Sequence, residues 1–261
     1  MAQFEIKDGT AIIPEGVKVI EDKAFQGCTS LKSITIPGSV TKIGERAFSG
    51  CASLESIIIS KSVKVIGDSA FSDCTSLESV VIPGSVTEIR RCAFYGCTSL
   101  RSVTIPASVT EIGTGVFWYC SSLESIVVAE GNPIFDSRES CNAIVETETN
   151  ALLFGCKSTI IPNSVKVIEG SAFLGCSLLE NITIPKGVTK ICESVFEKCT
   201  SLVTVTLPVG VNKIEEYVFD GCDSLSTIYV PAKKTDYYKK RLPWHLHDKI
   251  VELAPEKKTK K

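Results

Sequence analysis

Apolar and polar positions recur along this chain with a period of 23 residues. From Leu31 the sequence reads LKSITIPGSVTKIGERAFSGCAS, and the same order of apolar, hydroxyl and charged residues restarts at Leu54, Leu77 and Leu100. After an interruption it returns at Leu179. No single period has enough apolar surface to form a core alone, so neighbouring periods must stack on one another. The pattern therefore predicts a solenoid.

Each period predicts one coil with a short strand near its start. In one representative coil, Val80 and Ile82 alternate inward on the strand, while Ser79 and Val81 point outward. Pro83 stops the strand because it has no N–H for a further ladder bond. The residues that turn inward later in the same coil are Val86, Ile89, Ala93, Phe94 and Cys97.

Stacking at about 4.8 Å, the spacing of neighbouring strands, turns every repeated position into a ladder of similar side chains. The phenylalanines predicted to form an aromatic spine are Phe25, Phe48, Phe71, Phe94, Phe117, Phe173, Phe196 and Phe219. The cysteines of the next ladder are Cys28, Cys51, Cys74, Cys97, Cys120, Cys176, Cys199 and Cys222. The serines predicted to hydrogen-bond the backbone of a neighbouring coil are Ser39, Ser62, Ser85, Ser108 and Ser164.

The chain has 12 cysteines, which in a secreted protein would suggest disulfides. Eight of them follow the repeat and no CxxC pair occurs, so their spacing favours a structural role over a zinc site. In-register side chains of parallel strands seldom present the Cβ geometry that a disulfide needs. We therefore expect free, buried thiols that react slowly in the folded state. The repeat assigns no exposure to Cys92, Cys141, Cys156 and Cys192.

The period breaks between Val128 and Ile160. Phe117 and Phe173 are 56 residues apart rather than two periods, or 46, so about ten residues are inserted into one coil. The alternating runs NAIVE and ALLFG flank TETN in this segment, which predicts a β-hairpin. At the N-terminus FEIK, the turn DG and TAIIP predict another hairpin, which caps the solenoid.

The C-terminal part of the chain departs from the repeat. A helix is predicted to begin at Thr235 or Asp236 and to break at Pro243. An amphipathic piece follows and is expected to cover the open end of the last coil with Trp244, Leu246, Ile250 and Val251. The predicted segments are a solenoid over 1–231, with an N-terminal cap at 1–24 and an inserted hairpin coil at 129–160, and a helical cap with a basic tail over 232–261.

The repeats resemble the BspA-like, or Treponema-type, leucine-rich repeat family, whose pattern is LxxIxIPxxVxxIGxxAFxxCxs. The resemblance covers residues 11–231. It implies a leucine-rich repeat solenoid that is curved and right-handed, with a parallel sheet on the concave face. It also implies a bacterial source, such as a Bacteroides-like organism. Family members are commonly surface proteins implicated in adhesion and protein binding.

Composition and charge argue against several classes of partner. A formal net charge of -2 and a pI near 5.9 give no electrostatic reason to expect nucleic acid. No apolar run is long enough to span a bilayer, so we expect no membrane insertion. The basic residues near the C-terminus are expected to form a solvated tail. They are Lys257, Lys258, Lys260 and Lys261.

The N-terminal stretch MAQFEIKDGTAIIPEG carries charges where a signal peptide would need an apolar run. The chain as it stands is therefore expected in the cytoplasm, and at the cell surface or secreted if a leader has been trimmed. We expect a monomer.

Candidate catalytic and metal-binding sets are missing from the sequence. A cysteine nucleophile needs a base beside it, and the two histidines, His245 and His247, lie in the C-terminal cap. Their i, i+2 spacing does not share a helix face and makes a weak metal motif. Acids that recur with the period, such as Glu45 and Glu111, indicate a solvated face. We expect no enzyme activity, no cofactor and no metal.

The positions that vary between coils are the better evidence for function. Counted from the leucine that opens each coil, the candidate partner-binding residues on the concave face are Lys32, Glu55, Glu78, Arg101, Glu124 and Glu180 at position two, and Thr35, Ile58, Val81, Thr104, Val127, Thr183, Thr206 and Tyr229 at position five. Ile58, Val81 and Val127 would be apolar residues that face outward. Such a row can simply favour strand formation, or it can form a shallow, mildly acidic docking strip for a protein or peptide.

These patterns favour a non-enzymatic scaffold that binds a protein partner through the concave sheet, with the inserted hairpin as a further contact. Cell-surface adhesion or host-protein binding would be its role. The alternative is an intracellular structural or regulatory repeat module without a surface role. Both hypotheses rest on fold-level analogy and name no ligand.

Overall fold

The computed structural model of the protein describes residues 4–254 and confirms the predicted solenoid, with about 11 coils. Most coils contribute one short strand to a first parallel ladder. Its strands are β2 (Thr10–Ala11), β4 (Ser33–Thr35), β6 (Ser56–Ile58), β9 (Ser102–Ile105), β11 (Ser125–Val128), β16 (Asn181–Thr183), β18 (Thr204–Thr206), β20 (Thr227–Val230) and β21 (Ile250–Glu252). They pair in three groups, β2-β4-β6, β9-β11 and β16-β18-β20-β21.

The predicted N-terminal hairpin is confirmed. β1 (Ile6–Lys7) pairs antiparallel with β2. Asp8 and Gly9 join the two strands with φ angles of 51° and 78°, as a two-residue hairpin turn requires.

After the proline corner each regular coil contributes a two-residue strand to a second parallel ladder. These strands are β3 (Val19–Ile20), β5 (Lys42–Ile43), β7 (Val65–Ile66), β8 (Glu88–Ile89), β10 (Glu111–Ile112), β15 (Val167–Ile168), β17 (Lys190–Ile191) and β19 (Lys213–Ile214). The isoleucine of each strand is buried or half-buried and faces the core. The ladder is divided, because β10 ends one sheet while β15 belongs to the next.

The phenylalanine rings form the predicted spine inside the coils. Rings of neighbouring coils from Phe25 to Phe117 stack with centroids 5.1 to 5.9 Å apart, and Phe173, Phe196 and Phe219 continue the spine beyond the inserted segment. The sequence did not assign two further rings. Phe4 stacks on Phe25, and Phe154 meets Phe117 edge-on with centroids 5.8 Å apart.

The ladder cysteines pack beside this spine and donate hydrogen bonds to the backbone carbonyl groups of the phenylalanines. Cys74 Sγ donates a hydrogen bond to the carbonyl oxygen of Phe48 in the preceding coil, at 3.2 Å. The cysteines that make the same bond are Cys51, Cys97, Cys120, Cys199 and Cys222. Burial raises the pKa of these thiols, to about 12 for Cys120.

All 12 cysteines are free thiols, as predicted, and ten of them are buried. The prediction that the ladder cysteines are buried is wrong for Cys28, which is half-buried, because no complete coil precedes it. Among the four cysteines outside the ladder, Cys141, Cys156 and Cys192 are buried and Cys92 is half-buried.

The serine ladder bonds the preceding coil in the middle of the N-terminal half. The hydroxyls of Ser62, Ser85 and Ser108 donate to valine carbonyl oxygens at 2.6 to 2.8 Å, and Ser39 accepts from the N–H of Gly16. The expectation for Ser164 is wrong. Its hydroxyl contacts Arg138 Nη1 at 3.4 Å, because the inserted segment precedes it instead of a regular coil.

The predicted internal hairpin is confirmed and divides the core in two. β13 (Ala143–Glu146) pairs antiparallel with β14 (Ala151–Gly155), and β12 (Phe135–Asp136) adds to β13. Ile144 packs into the core of the N-terminal coils, whereas Ala143 and Val145 pack into the core of the C-terminal coils. Successive residues of a strand point to opposite faces, so this hairpin is buried on both sides. We call β13 and β14 the septum. A 3₁₀ turn at Arg138–Ser140 precedes it.

Gly155 ends the septum where the ring of Phe173 packs against the backbone. A Cβ at Gly155 would lie 2.2 Å from Phe173 Cε1, and that ring is held by its contact with the Phe196 ring, with centroids 5.1 Å apart. Gly155→Ala is therefore expected to lower the free energy of unfolding by about 1–3 kcal/mol, measured by urea denaturation. Gly38→Ala is the matched control, since its added Cβ would meet nothing within 4 Å. Equal stability of the two variants would contradict this packing.

The C-terminal cap begins as predicted, with α1 at Thr235–Lys239, and a 3₁₀ helix at Trp244–Lys249 follows Pro243. The residues that bury against the last coils are Tyr238, Leu242 and Leu246. The expectation that Trp244 and Val251 cover this end is wrong, because their side chains are 83% and 45% exposed. Ile250 and Val251 lie in β21, which extends the first ladder. Lys257, Lys258, Lys260 and Lys261 lie outside the described residues.

Candidate protein-binding face

The outward side of the first ladder carries the varying residues, and we call it the first-ladder face. Backbone pairing fixes its register: Thr35 lies beside Ile58 and Thr104 lies beside Val127. In the C-terminal half, the position-five residues Thr183, Thr206 and Tyr229 follow one another in the same way. Side chains in such a register point in one direction at about the 4.8 Å strand spacing.

All fourteen predicted residues reach the surface. Thr206 and Tyr229 are half-buried and the other twelve are exposed. They do not lie on one continuous sheet. The coil that contains Val81 contributes only an isolated bridge from Ser79 to Ser102, and the inserted segment separates β11 from β16. The structure therefore brings these residues together in three blocks.

Position five exposes more apolar surface than the sequence indicated. The side chains of Ile58, Val81 and Val127 are 65%, 78% and 42% exposed. Three residues were missed, Ile12, Ile160 and Val251, which are 81%, 77% and 45% exposed. The apolar row therefore consists of Ile12, Ile58, Val81, Val127, Ile160 and Val251.

The register explains these additions. Ala11 pairs with Ile34, which places Ile12 beside Thr35, and Val251 pairs with Tyr229. The sequence indicates two of these residues, Ile12 and Ile160, because the chain reads IIP at both where other coils read TIP.

The charged border of the face is less acidic than predicted. Lys157 Nζ lies 2.6 Å from Glu124 Oε1, and its hydrogen bond lowers the pKa of the Glu124 carboxyl. Lys157 comes from the coil that holds the septum, so the inserted segment neutralises this part of the strip. Glu55 and Glu78 are exposed, and among residues 4–254 neither makes an ion pair. Of the three glutamates that border Ile58, Val81 and Val127, those beside Ile58 and Val81 therefore keep the acidic border.

A groove of about 890 Å³ opens beside the C-terminal half of the face. Ile160 and Thr183 line its first-ladder side, and Val209 and Leu253 line it further on. Val209 and Leu253 are 52% and 40% exposed. The groove is thus an apolar depression continuous with the apolar row.

Ionisable side chains of the described residues do not assemble elsewhere into a metal-binding cluster. Within residues 4–254, no three His, Cys, Asp or Glu side chains are grouped as metal ligands. His245 is exposed, and the Nε2 atom of His247 lies 3.0 Å from the carbonyl oxygen of Leu242. Over the same range, no helix has the length and apolar character needed to cross a bilayer.

Stacked coils with two parallel ladders and an outward varying face define a leucine-rich repeat protein. The chain belongs to the family described as BspA type leucine rich repeat region, which matches six copies over residues 6–124 and 152–241. The unmatched stretch, 125–151, contains β12 and β13 and so coincides with most of the inserted segment.

Solved structures of bacterial leucine-rich repeat proteins share this fold. The chain is similar to a leucine rich cell surface protein from Faecalibacterium prausnitzii, with 25% identity and a TM-score of 0.62 over 98% of this chain and 93% of that one. A leucine rich repeat protein from T. pallidum has 29% identity and a TM-score of 0.51, over 74% and 78% of the two chains. The pneumococcal vaccine antigen PcpA has 23% identity and a TM-score of 0.71, over 85% of this chain and 62% of that one. No curated protein sequence matches this chain.

Proposed function

We propose that this protein is a non-enzymatic scaffold that binds a protein partner through the first-ladder face. The apolar row carries the proposal. Six β-branched side chains stand exposed at one repeated position, although the same position is filled by threonine in other coils. Aligned apolar side chains with a polar border are typical of a protein-binding surface. The groove beside Ile160 and Val209 would receive apolar side chains of the partner.

The inserted segment supplies a second contact in this proposal. Glu148 and Thr149 are exposed at the tip of the hairpin, and Lys157 of the same coil reaches the face through Glu124. The likeness to a bacterial protein described as a cell surface protein supports a surface location. There the scaffold would contribute to adhesion or to binding of host proteins.

Replacing three members of the apolar row tests the face. The triple variant Ile58→Lys, Val81→Lys and Val127→Lys is expected to weaken partner binding by at least about 100-fold, because three buried contacts are lost and three charges must be desolvated. The measurement compares proteins captured by wild type and variant from native lysate and surface extract, followed by titration of the captured protein.

The control variant carries Thr41→Lys, Thr87→Lys and Thr189→Lys. These threonines are exposed, and each hydroxyl bonds a backbone carbonyl outside the face. The control adds the same charge and is expected to retain binding. Unchanged binding by the face variant would mean that the partner uses another surface.

A further inference from the structure

The second ladder loses its backbone bonding at β10. In the preceding coils, the carbonyl oxygens that face the next coil each accept an N–H. Thr87 donates to Lys64 O at 2.9 Å, and Gly113 donates to Ile89 O at 2.8 Å. On β10 the equivalent acceptors are Thr110 O and Ile112 O. Neither accepts a hydrogen bond from any residue within 4–254, so β10 is a free strand edge.

The hairpin pairing of the septum explains why the ladder does not continue: β14 pairs with β15 on one edge and with β13 on the other, so no edge of β14 remains for β10. Ile144 pairs with Phe154 and Val145 pairs with Leu152, which leaves Leu153 as an extra residue. Leu152 pairs with Ile168 in the ladder beyond, so Leu153 follows the position equivalent to Ile112. In the regular coils the equivalent N–H groups donate to the preceding coil, whereas Asn150 N–H donates to Glu146 O within the hairpin. Leu153 lines the space beside the edge of β10.

A cleft lies along this edge. One depression of about 560 Å³ lies between the outer side of β8 and β10 and the inserted segment, where Ile134 contributes to its wall. Another of about 300 Å³ lies on the Trp118 side. Both are lined by Ile112, Gly113 and Leu153. The free edge is therefore accessible from two directions, with Leu153 as an apolar contact.

The charge of the larger depression is negative. It is lined by the carboxylates Asp68, Glu88, Glu111 and Glu146 and the guanidinium groups Arg90 and Arg91. Glu88 is paired with Arg90 at 2.5 Å. Glu111 is exposed on β10 itself, and among the described residues it makes no ion pair. A ligand at this edge therefore meets an excess of carboxylate.

We propose that β10 receives an extended, basic peptide of another protein as an additional parallel strand. N–H groups of the peptide donate to Thr110 O and Ile112 O, in place of the N–H groups that a regular next coil would supply. A lysine or arginine of the peptide lies beside Glu111, because in-register neighbours of a ladder lie side by side. An alternate apolar residue contacts Leu153. Such strand addition takes its affinity from the backbone and its specificity from alternate side chains. The site is separate from the first-ladder face and does not depend on it.

A labelled, end-blocked peptide of about seven alternating lysine and valine residues is the probe, since extended peptides of this kind add to free sheet edges. Fluorescence polarisation is expected to show saturable binding. The same peptide with glutamate for lysine is expected not to bind. A lysine peptide with N-methyl groups on alternate backbone nitrogens keeps its charge and loses N–H donors. It is expected to lose most of its affinity. Equal binding of the N-methylated peptide would reduce the contact to charge attraction and overturn the proposal.

The protein variant Glu111→Lys is expected to weaken probe binding by about ten-fold, because an attractive neighbour pair becomes repulsive. Glu21→Lys makes the same charge change just after β3, where Glu21 is exposed and outside both depressions, and is expected to leave binding unchanged. Matching thermal unfolding of the two variants establishes that both are folded. Equal affinity of the probe for both variants, or no saturable binding to wild type, would also overturn the proposal.

Discussion

Above a pH of about 9 the protein is expected to lose stability steeply, because its ladder thiols are protonated when folded and ionise when the chain unfolds. Burial raises the pKa of Cys51 and Cys222 to about 12 and places that of Cys97 well above its ordinary value. A thiol whose pKa is higher in the folded chain than in the unfolded chain contributes its full stabilisation only below the unfolded pKa of about 8.5–9. That stability is lost as the pH rises toward the folded value.

The size of this effect follows from the number of thiols. Seven ladder cysteines are buried, and each contributes about 1.4 kcal/mol per pH unit once the unfolded thiol ionises. Together they amount to about 10 kcal/mol per pH unit, comparable to the entire stability of an ordinary domain. Urea unfolding at a series of pH values, with a reductant present throughout, measures this slope.

A double variant separates thiol ionisation from other alkaline effects. Cys74→Ala with Cys97→Ala should remove about two protons from the unfolding reaction and flatten the slope by about 3 kcal/mol per pH unit. Cys92→Ala is the control, because this thiol is only half-buried. If the double variant kept the wild-type slope, the ladder thiols would not be the cause.

Phe71→Ala is expected to lower the free energy of unfolding by about 3–5 kcal/mol, the usual effect of removing a buried aromatic ring. Phe71 is fully buried, and its ring stacks on Phe48 at 5.2 Å and on Phe94 at 5.3 Å. The cavity would therefore open between two coils at once. Urea denaturation monitored by circular dichroism gives the value.

The end of the same spine provides the comparison. Phe4 is half-buried, and among the described residues its ring stacks on Phe25 alone, so Phe4→Ala loses one stacking contact and leaves no enclosed cavity. Its effect is expected to be about 2 kcal/mol or less. Similar decreases in the free energy of unfolding for Phe4→Ala and Phe71→Ala would contradict the view that stacking on both sides determines the size of the effect.

Repetition made much of the fold predictable. A residue such as Phe71 or Cys74 has little meaning alone, but its recurrence in every coil assigns it to the interior. The two hairpins were equally predictable, because alternating apolar and polar runs joined by TETN or DG form few structures other than a β-hairpin. The outward direction of position five followed from strand alternation, which placed Ile58 and Val81 at the surface.

What the sequence left open depends on contacts that do not repeat. The septum alternates like a strand with one buried face, yet coils cover it on both sides. Lys157 neutralises Glu124 across 33 residues of sequence, a pairing that no period specifies. The free edge of β10 arises because β13 takes the edge of β14 that a regular coil would turn toward β10, a pairing that the 23-residue period does not specify. The apolar character of Trp244 predicts a buried side chain, but the structure leaves it exposed.

The septum also determines how such a chain can change length over evolution. Each 23-residue coil contacts its neighbours alone, so a duplication or deletion of one whole coil in the gene lengthens or shortens the stack by about one strand spacing. Because β13 and β14 present a separate face to each core, a change on one side leaves the other core intact. The N-terminal and C-terminal parts of the first-ladder face can therefore vary in length independently of each other.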